Sequence, residues 1–162
     1  MKLLKWLIIA VVLLAVVALA AGRLGLLQGR APGDLGVHDG RLKPPSETPN
    51  SVSSQASLHT GHARQAEAQI APLRYSGDGV AAMARLRTLV ASTEGARIVT
   101  STPDYLYATF TTPWMRFVDD VEFWLDPAGG VIQVRSASRL GERDFGANRN
   151  RVEALRQAFE KP

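Results

Sequence analysis

The chain has 162 residues, 46% of them hydrophobic and 21% charged, and contains no cysteine. That length suits one domain better than two, and the missing cysteines exclude a disulfide framework and a thiolate metal site. The formal charge is +4, of which Lys2 and Lys5 supply half; the other basic residues are scattered, which argues against a nucleic-acid partner.

Residues 7–21 carry no charged or polar side chain, with Trp6 and Gly22 extending the run, Lys2 and Lys5 before it and Arg23 after it. A helix over residues 6–22 would span about 25 Å, close to the thickness of a hydrocarbon core if Lys5 and Arg23 reach out to the headgroups. Trp6 stands where an interfacial aromatic belongs. The alternative is a cleaved secretory signal, with Ala18-Leu19-Ala20 as the cleavage site. The apolar run is long for a signal core and continues past that site through Leu24, Leu26 and Leu27, so the uncleaved anchor over residues 1–22 is the stronger reading. Either way the rest of the chain is exported. Arg23, Arg30, Arg41 and Lys43 lie beyond the segment and weaken the charge bias that would set its orientation.

Residues 23–57 read as a Gly/Pro-rich tether and arm, since glycine and proline recur too often for a helix. A globular domain is expected over residues 58–162. Its first stretch, about 57–67, reads as a polar loop with a short helical turn; Ile70, Pro72, Leu73 and Tyr75 then pin the chain to the domain. Asp78 is a good N-cap for a helix whose stripe is Val80, Met83, Leu86 and Val90, with Gly95 as its stop. Four strand-like segments follow, at 96–101, 104–111, 118–126 and 131–138, joined by short connections that favour antiparallel hairpins. A last helix over about 149–160, with Asn148 as N-cap, carries Val152, Leu155 and Phe159 on one stripe. The fold class is therefore α+β: a four-stranded antiparallel meander with two helices on one face, in the order α-β-β-β-β-α.

Strand period assigns the faces. Leu106, Ala108, Phe110, Val121, Phe123, Leu125, Ile132 and Val134 should turn inward. Tyr105, Tyr107, Asp120, Glu122, Trp124, Gln133 and Arg135 should share the other face. Matching apolar partners sets Leu125 opposite Ile132, Phe123 opposite Val134 and Glu122 opposite Arg135. The same matching places Phe110 near Val121, Ala108 near Phe123 and Tyr107 near Trp124. The second face is too aromatic for a plain solvated sheet: either the arm folds over it or it binds something.

Ordered along the chain, DLGV at 34–37, GRL at 40–42, TPN at 48–50, VSSQA at 52–56, FVDDVEF at 117–123, VRSASRLG at 134–141 and NRNRVE at 148–153 resemble the family called domain of unknown function 1499. The resemblance covers about residues 34–159. It implies a membrane-associated or exported bacterial protein, with relatives in plant plastids, and no established activity. For this chain that points to the inner membrane with the domain on the periplasmic side. It also implies a cysteine on each side of the Pro-Asn turn; here those positions hold Pro45 and Ser51, so no disulfide or thiol role is open to them.

Several constellations carry chemistry and also admit a plain structural reading. Asp120 and Glu122, about 7 Å apart on one face, suit acid/base work or a divalent cation; they equally suit ion pairs, Glu122 with Arg135 and Asp120 with Arg116. Asp119 faces the core and needs a partner, with Ser136 and Ser138 in reach. Arg135, Ser136, Ser138 and Arg139, with Asn148 and Arg151 at the last helix, could form one anion site, or a salt-bridge network with Asp119, Asp120, Glu122, Asp144 and Glu153. His59 and His62 lack a third ligand at metal spacing, and Asn50, Ser53, Ser54 and Gln55 sit in no nucleophile elbow. No cofactor fingerprint is present. The expected function is a membrane-tethered accessory or binding module of the cell envelope. It would recognise a small anionic ligand, a lipid headgroup or a protein partner through Tyr107, Asp120, Glu122, Trp124, Arg135, Arg139, Arg151, Asn50 and Ser54. A hydrolase using Asp120 and Glu122 and a purely structural envelope protein are the alternatives.

Overall fold

The computed structural model describes residues 1–161; Pro162, the last residue of the expected domain, lies outside it. The apolar N-terminal run forms helix α1, Lys2–Arg23, long and apolar enough to cross a membrane. Its side chains stand mostly exposed, and Gly22 is its one buried residue, where the helix meets the body.

The arm is more ordered than its composition predicts. It supplies strand β1 (Ser51–Ser53) and runs into a single 3-10 turn (Ala56–Leu58); the first stretch of the expected domain then forms the short helix α2 (Gln65–Ala68), close to the expected helical turn, and strand β2 (Leu73–Arg74). Helix α3 (Gly79–Ala91) follows, started by Asp78, whose Oδ1 accepts the Ala81 amide at 2.7 Å. Strands β3 (Ala96–Ser101), β4 (Tyr105–Thr111), β5 (Val118–Asp126) and β6 (Val131–Ser138) come next, then helix α4 (Ala147–Phe159).

The sheet is antiparallel and has six strands, where the sequence predicts four. Its order is β1-β6-β5-β4-β3, with β2 pairing a second stretch of β6. The two extra strands are short pieces laid along the β6 edge, one from the arm and one from the segment ahead of α3: Val52 pairs with Ser136 and Leu73 with Ile132. They shield backbone groups that an open edge would leave unpaired.

The inward face matches its period-2 assignment. Leu106, Ala108, Phe110, Val121, Phe123, Ile132 and Val134 are all buried, beneath Met83, Leu86 and Val90 of α3 and Val152, Leu155 and Phe159 of α4. Val80 is the exception in the predicted helix stripe, half exposed at the first turn, while Ala82 is buried in its place.

The β5–β6 register agrees with the sequence expectation: Leu125 opposite Ile132, Phe123 opposite Val134 and Glu122 opposite Arg135. The β4–β5 register does not. Ala108 faces Val121, Phe110 faces Asp119, Tyr107 faces Glu122 and Trp124 faces Tyr105. The slip is two residues, which leaves every side chain on its predicted face and so is invisible to an alternation argument.

Candidate functional site

The outer face of the sheet is floored by Tyr105 and Tyr107 of β4, Asp120, Glu122 and Trp124 of β5, and Gln133 and Arg135 of β6. The arm crosses above it. Asp120, Glu122 and Arg135 are consequently buried although they face away from the core.

Two ion pairs organise this layer. Arg139, just beyond β6, grips Asp120 with two nitrogens, Nε to Oδ2 at 2.9 Å and Nη2 to Oδ1 at 2.7 Å, and Tyr107 adds its hydroxyl at 2.6 Å. This is the forked geometry that gives arginine–carboxylate pairs their strength. The Asp120 hydrogen bond further raises the Arg139 pKa. Burial, then the Asp120 hydrogen bond, pushes the Tyr107 phenol up to about 12. Asp120 therefore pairs with Arg139 and not with Arg116.

Glu122 is treated differently. Its Oε1 accepts the Gly36 amide at 2.7 Å and the Tyr105 hydroxyl at 2.8 Å, while its Oε2 is buried without a hydrogen bond. Arg135 stands opposite, yet Nη1 stays 3.8 Å away and Nε donates to the Pro44 carbonyl at 3.0 Å. Burial raises the Glu122 pKa and lowers that of Arg135; each is desolvated faster than its partner repays it.

The arm is fastened above these groups by amide side chains. Gln55 bridges Leu42 and Gly40, accepting the Leu42 amide at 2.8 Å and donating to the Gly40 carbonyl at 3.0 Å. Ser54 accepts the Val134 amide at 2.8 Å and donates to Gln133 at 2.7 Å. Trp124 is partly buried beside Gly40. Where the family resemblance implies paired cysteines, the Ser51 hydroxyl instead accepts the Ser46 amide at 2.8 Å, one residue from Pro45.

Arg151, Ser136 and Asn148 do not join Arg135 and Arg139: they lie on the opposite face of the sheet, because neighbouring residues of β6 alternate sides. Ser138, at the end of β6, reaches both groups, lining a solvent groove with Arg135 and Arg139 while its hydroxyl accepts from Asn148 Nδ2 at 2.9 Å. Asn148 is not the N-cap of α4 either. Gly146, in a left-handed conformation, occupies the cap position, and Asp144 does the capping, accepting the amides of Gly146 and Asn148 at 3.0 and 2.9 Å. Asn148 is fully buried. It accepts from Ser136 and from Arg151 Nη1 and donates to the Asn50 carbonyl. Asn50 in turn donates to the Gly141 carbonyl at 2.6 Å. Arg151 closes the cluster on Asp119 at 2.5 Å and stacks over Phe110. Asp119 thus takes Arg151 as its partner in place of the expected serines. This inner cluster is a tie between α4, β1 and the sheet, with no opening to solvent at its centre.

Between the arm and the outer face runs a groove of about 490 Å³, lined by Arg30, Asp34, Lys43 and Glu47 from the arm and by Asp120, Arg135 and Arg139 from the sheet side. Arg30, Lys43, Gly36 and the Pro44 carbonyl were not among the site residues expected from the sequence. They come from the Gly/Pro-rich arm, whose residues show no period of two or 3.6, and nothing local marks which face it will cover. Neither carboxylate meets the open-cleft condition that hydrolysis requires: Asp120 is held in the Arg139 fork and Glu122 has no exposed surface. Among the described residues no group of three or more His, Asp or Glu is placed to hold a metal; His62 instead faces Glu47 at 3.4 Å.

The fold and site define a small α+β domain with a sheathed polar sheet face, carried behind one apolar helix that could anchor it in a membrane. Residues 41–159 match the family described as Protein of unknown function (DUF1499), and the chain belongs to that family. No curated protein and no solved structure matches the chain.

Proposed function

We propose that this protein is a membrane-tethered, non-enzymatic binding module that takes a small anionic group, phosphate or carboxylate, in the groove between arm and sheet. The domain would lie on the outer side of a bacterial inner membrane, with α1 as its uncleaved anchor. The observation that carries the reading is Arg135. Its guanidinium lines the groove, only 4% exposed, and among the described residues donates one hydrogen bond, leaving the Glu122 pair open at 3.8 Å. A buried guanidinium with free donors is an anion receptor, because its forked N–H groups match an oxyanion and its desolvation cost is already met. Arg30 stands on the same groove, as do Lys43 and Arg139, which are paired with Asp34 at 2.6 Å and Asp120 at 2.7 Å. Arg139 lies next to Leu140, against which Gly29 packs close to the end of α1, which makes a lipid headgroup a suitable source of the anion.

The test is calorimetric titration of the detergent-solubilised full chain with inorganic phosphate and, separately, with a short-chain phosphatidylglycerol, repeated on Arg135→Gln. Binding that weakens by about tenfold or more in a folded variant supports the proposal. A wild-type protein that binds neither ligand overturns it. The structural reading of the same face draws on the sealed Asp120 and Glu122; it predicts that Arg135→Gln loses stability and that wild type shows no saturable heat.

A further inference from the structure

The loop between β4 and β5 sits at the foot of α1. Gly22, the one buried residue of the helix, lies so close to this loop that a Cβ there would come within 2.5 Å of the Met115 carbonyl oxygen. Gly29 makes a similar approach to Arg139 and Leu140, where a Cβ would stand 2.8 Å from the Arg139 Cβ. The start of β5 and the end of β6 are paired, with the Arg139 amide on the Val118 carbonyl at 3.1 Å. The loops 112–117 and 139–146 therefore share one end of the sheet, and α1 leaves the body from that end.

The exposed apolar side chains gather at this end. Trp114, one residue from the Met115 contact, is 70% exposed, and Leu24 and Leu26, just past α1, are 77% and 70% exposed. Leu140 and Phe145 stand out on the second loop, and Arg23 and Arg116 flank Gly22 and Met115. Elsewhere on the body, among the described residues, only Leu58, Val80 and Val99 are large, apolar and exposed, and they are dispersed. A helix of 22 residues is about 33 Å long, the thickness of a hydrocarbon core, so its Gly22–Arg23 end falls at the headgroup boundary. A side chain touching that end stands at the same depth. Tryptophan is favoured there because its ring is apolar and its N–H is not, and arginine because phosphates are within reach.

We propose that the β4–β5 loop, with Trp114 as its leading residue, seats in the headgroup layer of the bilayer that holds α1, so that the domain rests on the membrane and does not swing free on the tether. The partner is the lipid surface itself. The inference depends on α1 remaining in the membrane and is independent of what the groove binds.

The experiment uses the full chain with Trp6→Phe and Trp124→Phe, leaving Trp114 as the sole tryptophan, in vesicles of phosphatidylcholine and phosphatidylglycerol whose acyl chains are brominated near the headgroup. Trp114 emission is expected to fall by about half or more relative to unbrominated vesicles. A companion chain with Trp114→Phe and Val80→Trp reports from the far end of the sheet and is expected to keep its emission. Flotation after a carbonate wash reads insertion of α1 separately. Floating protein with unquenched Trp114 overturns the seating alone; protein that does not float overturns the anchor and the seating together. Trp114 shielded from iodide yet unquenched by brominated lipid identifies a protein or a second copy as the occupant and also overturns it.

Discussion

Glu122 and Arg135 stand directly opposite one another on adjacent strands, both buried, yet their charged ends stop 3.8 Å apart. Glu122 has given one oxygen to the Gly36 amide and Tyr105, and Arg135 has turned its Nε to Pro44. Each side chain holds the arm more closely than it holds its partner.

That geometry sets a pH dependence. Burial raises the Glu122 pKa above its ordinary 4.5, so the folded protein holds this proton at pH values where the unfolded chain has released it. Stability from this group therefore falls as pH rises from about 4.5 through the folded-state pKa. Glu122→Gln removes that slope. Urea unfolding across the window should show the variant gaining on wild type toward neutral pH and losing ground toward acid; parallel curves would refute the assignment.

The Arg151–Asp119 pair serves the core. Removing one member strands a buried charge, so Arg151→Met alone should cost about 3–5 kcal/mol. The double variant Asp119→Leu/Arg151→Met should recover most of that loss, because the cost belongs to the unpaired carboxylate. Denaturant titration of the three proteins checks both figures.

Asp144, not Asn148, starts α4. Burial alone would raise its pKa, but the Asn148 and Gly146 amides outweigh that and hold it below 3.8. A carboxylate depressed in this way adds stability above the unfolded pKa and loses it as pH falls through the folded one. Asp144→Ala should cost about 0.5–2 kcal/mol at neutral pH, and the gap to wild type should narrow in acid, as read by thermal melts.

Gly95 turns the chain from α3 into β3 with φ +76°, and a Cβ there would meet the Thr111 carbonyl oxygen at 2.6 Å. Gly95→Ala should destabilise by more than about 1 kcal/mol, measured by urea unfolding. Gly61, also at positive φ but with open space around it, should lose less on the same substitution, since only the backbone preference is then at stake.

Much of this architecture was legible along the chain because it rests on local regularity. Alternation in Val121–Glu122–Phe123–Trp124 settles which way each side chain points, and an aspartate before an apolar stripe marks the start of α3. The acid and arginine that face each other on β5 and β6 followed from a four-residue hairpin that allows little play. The β4–β5 pairing escaped because a two-residue slip conserves faces; there the loop closed by Thr112 and Phe117 decides. Asn148 was misread because its type suits a cap, while the competing caps, Gly146 and Asp144, depend on how the loop turns. Ser51–Ser53 is too short and polar to announce a strand, and becomes one only because β6 offers it an edge.

Residue order by itself determined the apolar helix, the four longer strands and the two packed helices, and the face each residue of those strands occupies, since these depend on periods of two and 3.6. Tertiary structure alone decided that Arg135 and Arg139 share a groove while Arg151 lies on the other side of the sheet, and that Gly36, 86 residues away in sequence, supplies the hydrogen bond to Glu122. Contacts between distant segments arise from packing and from the demand that buried polar groups find partners, and neither leaves a periodic trace in the segment that answers it.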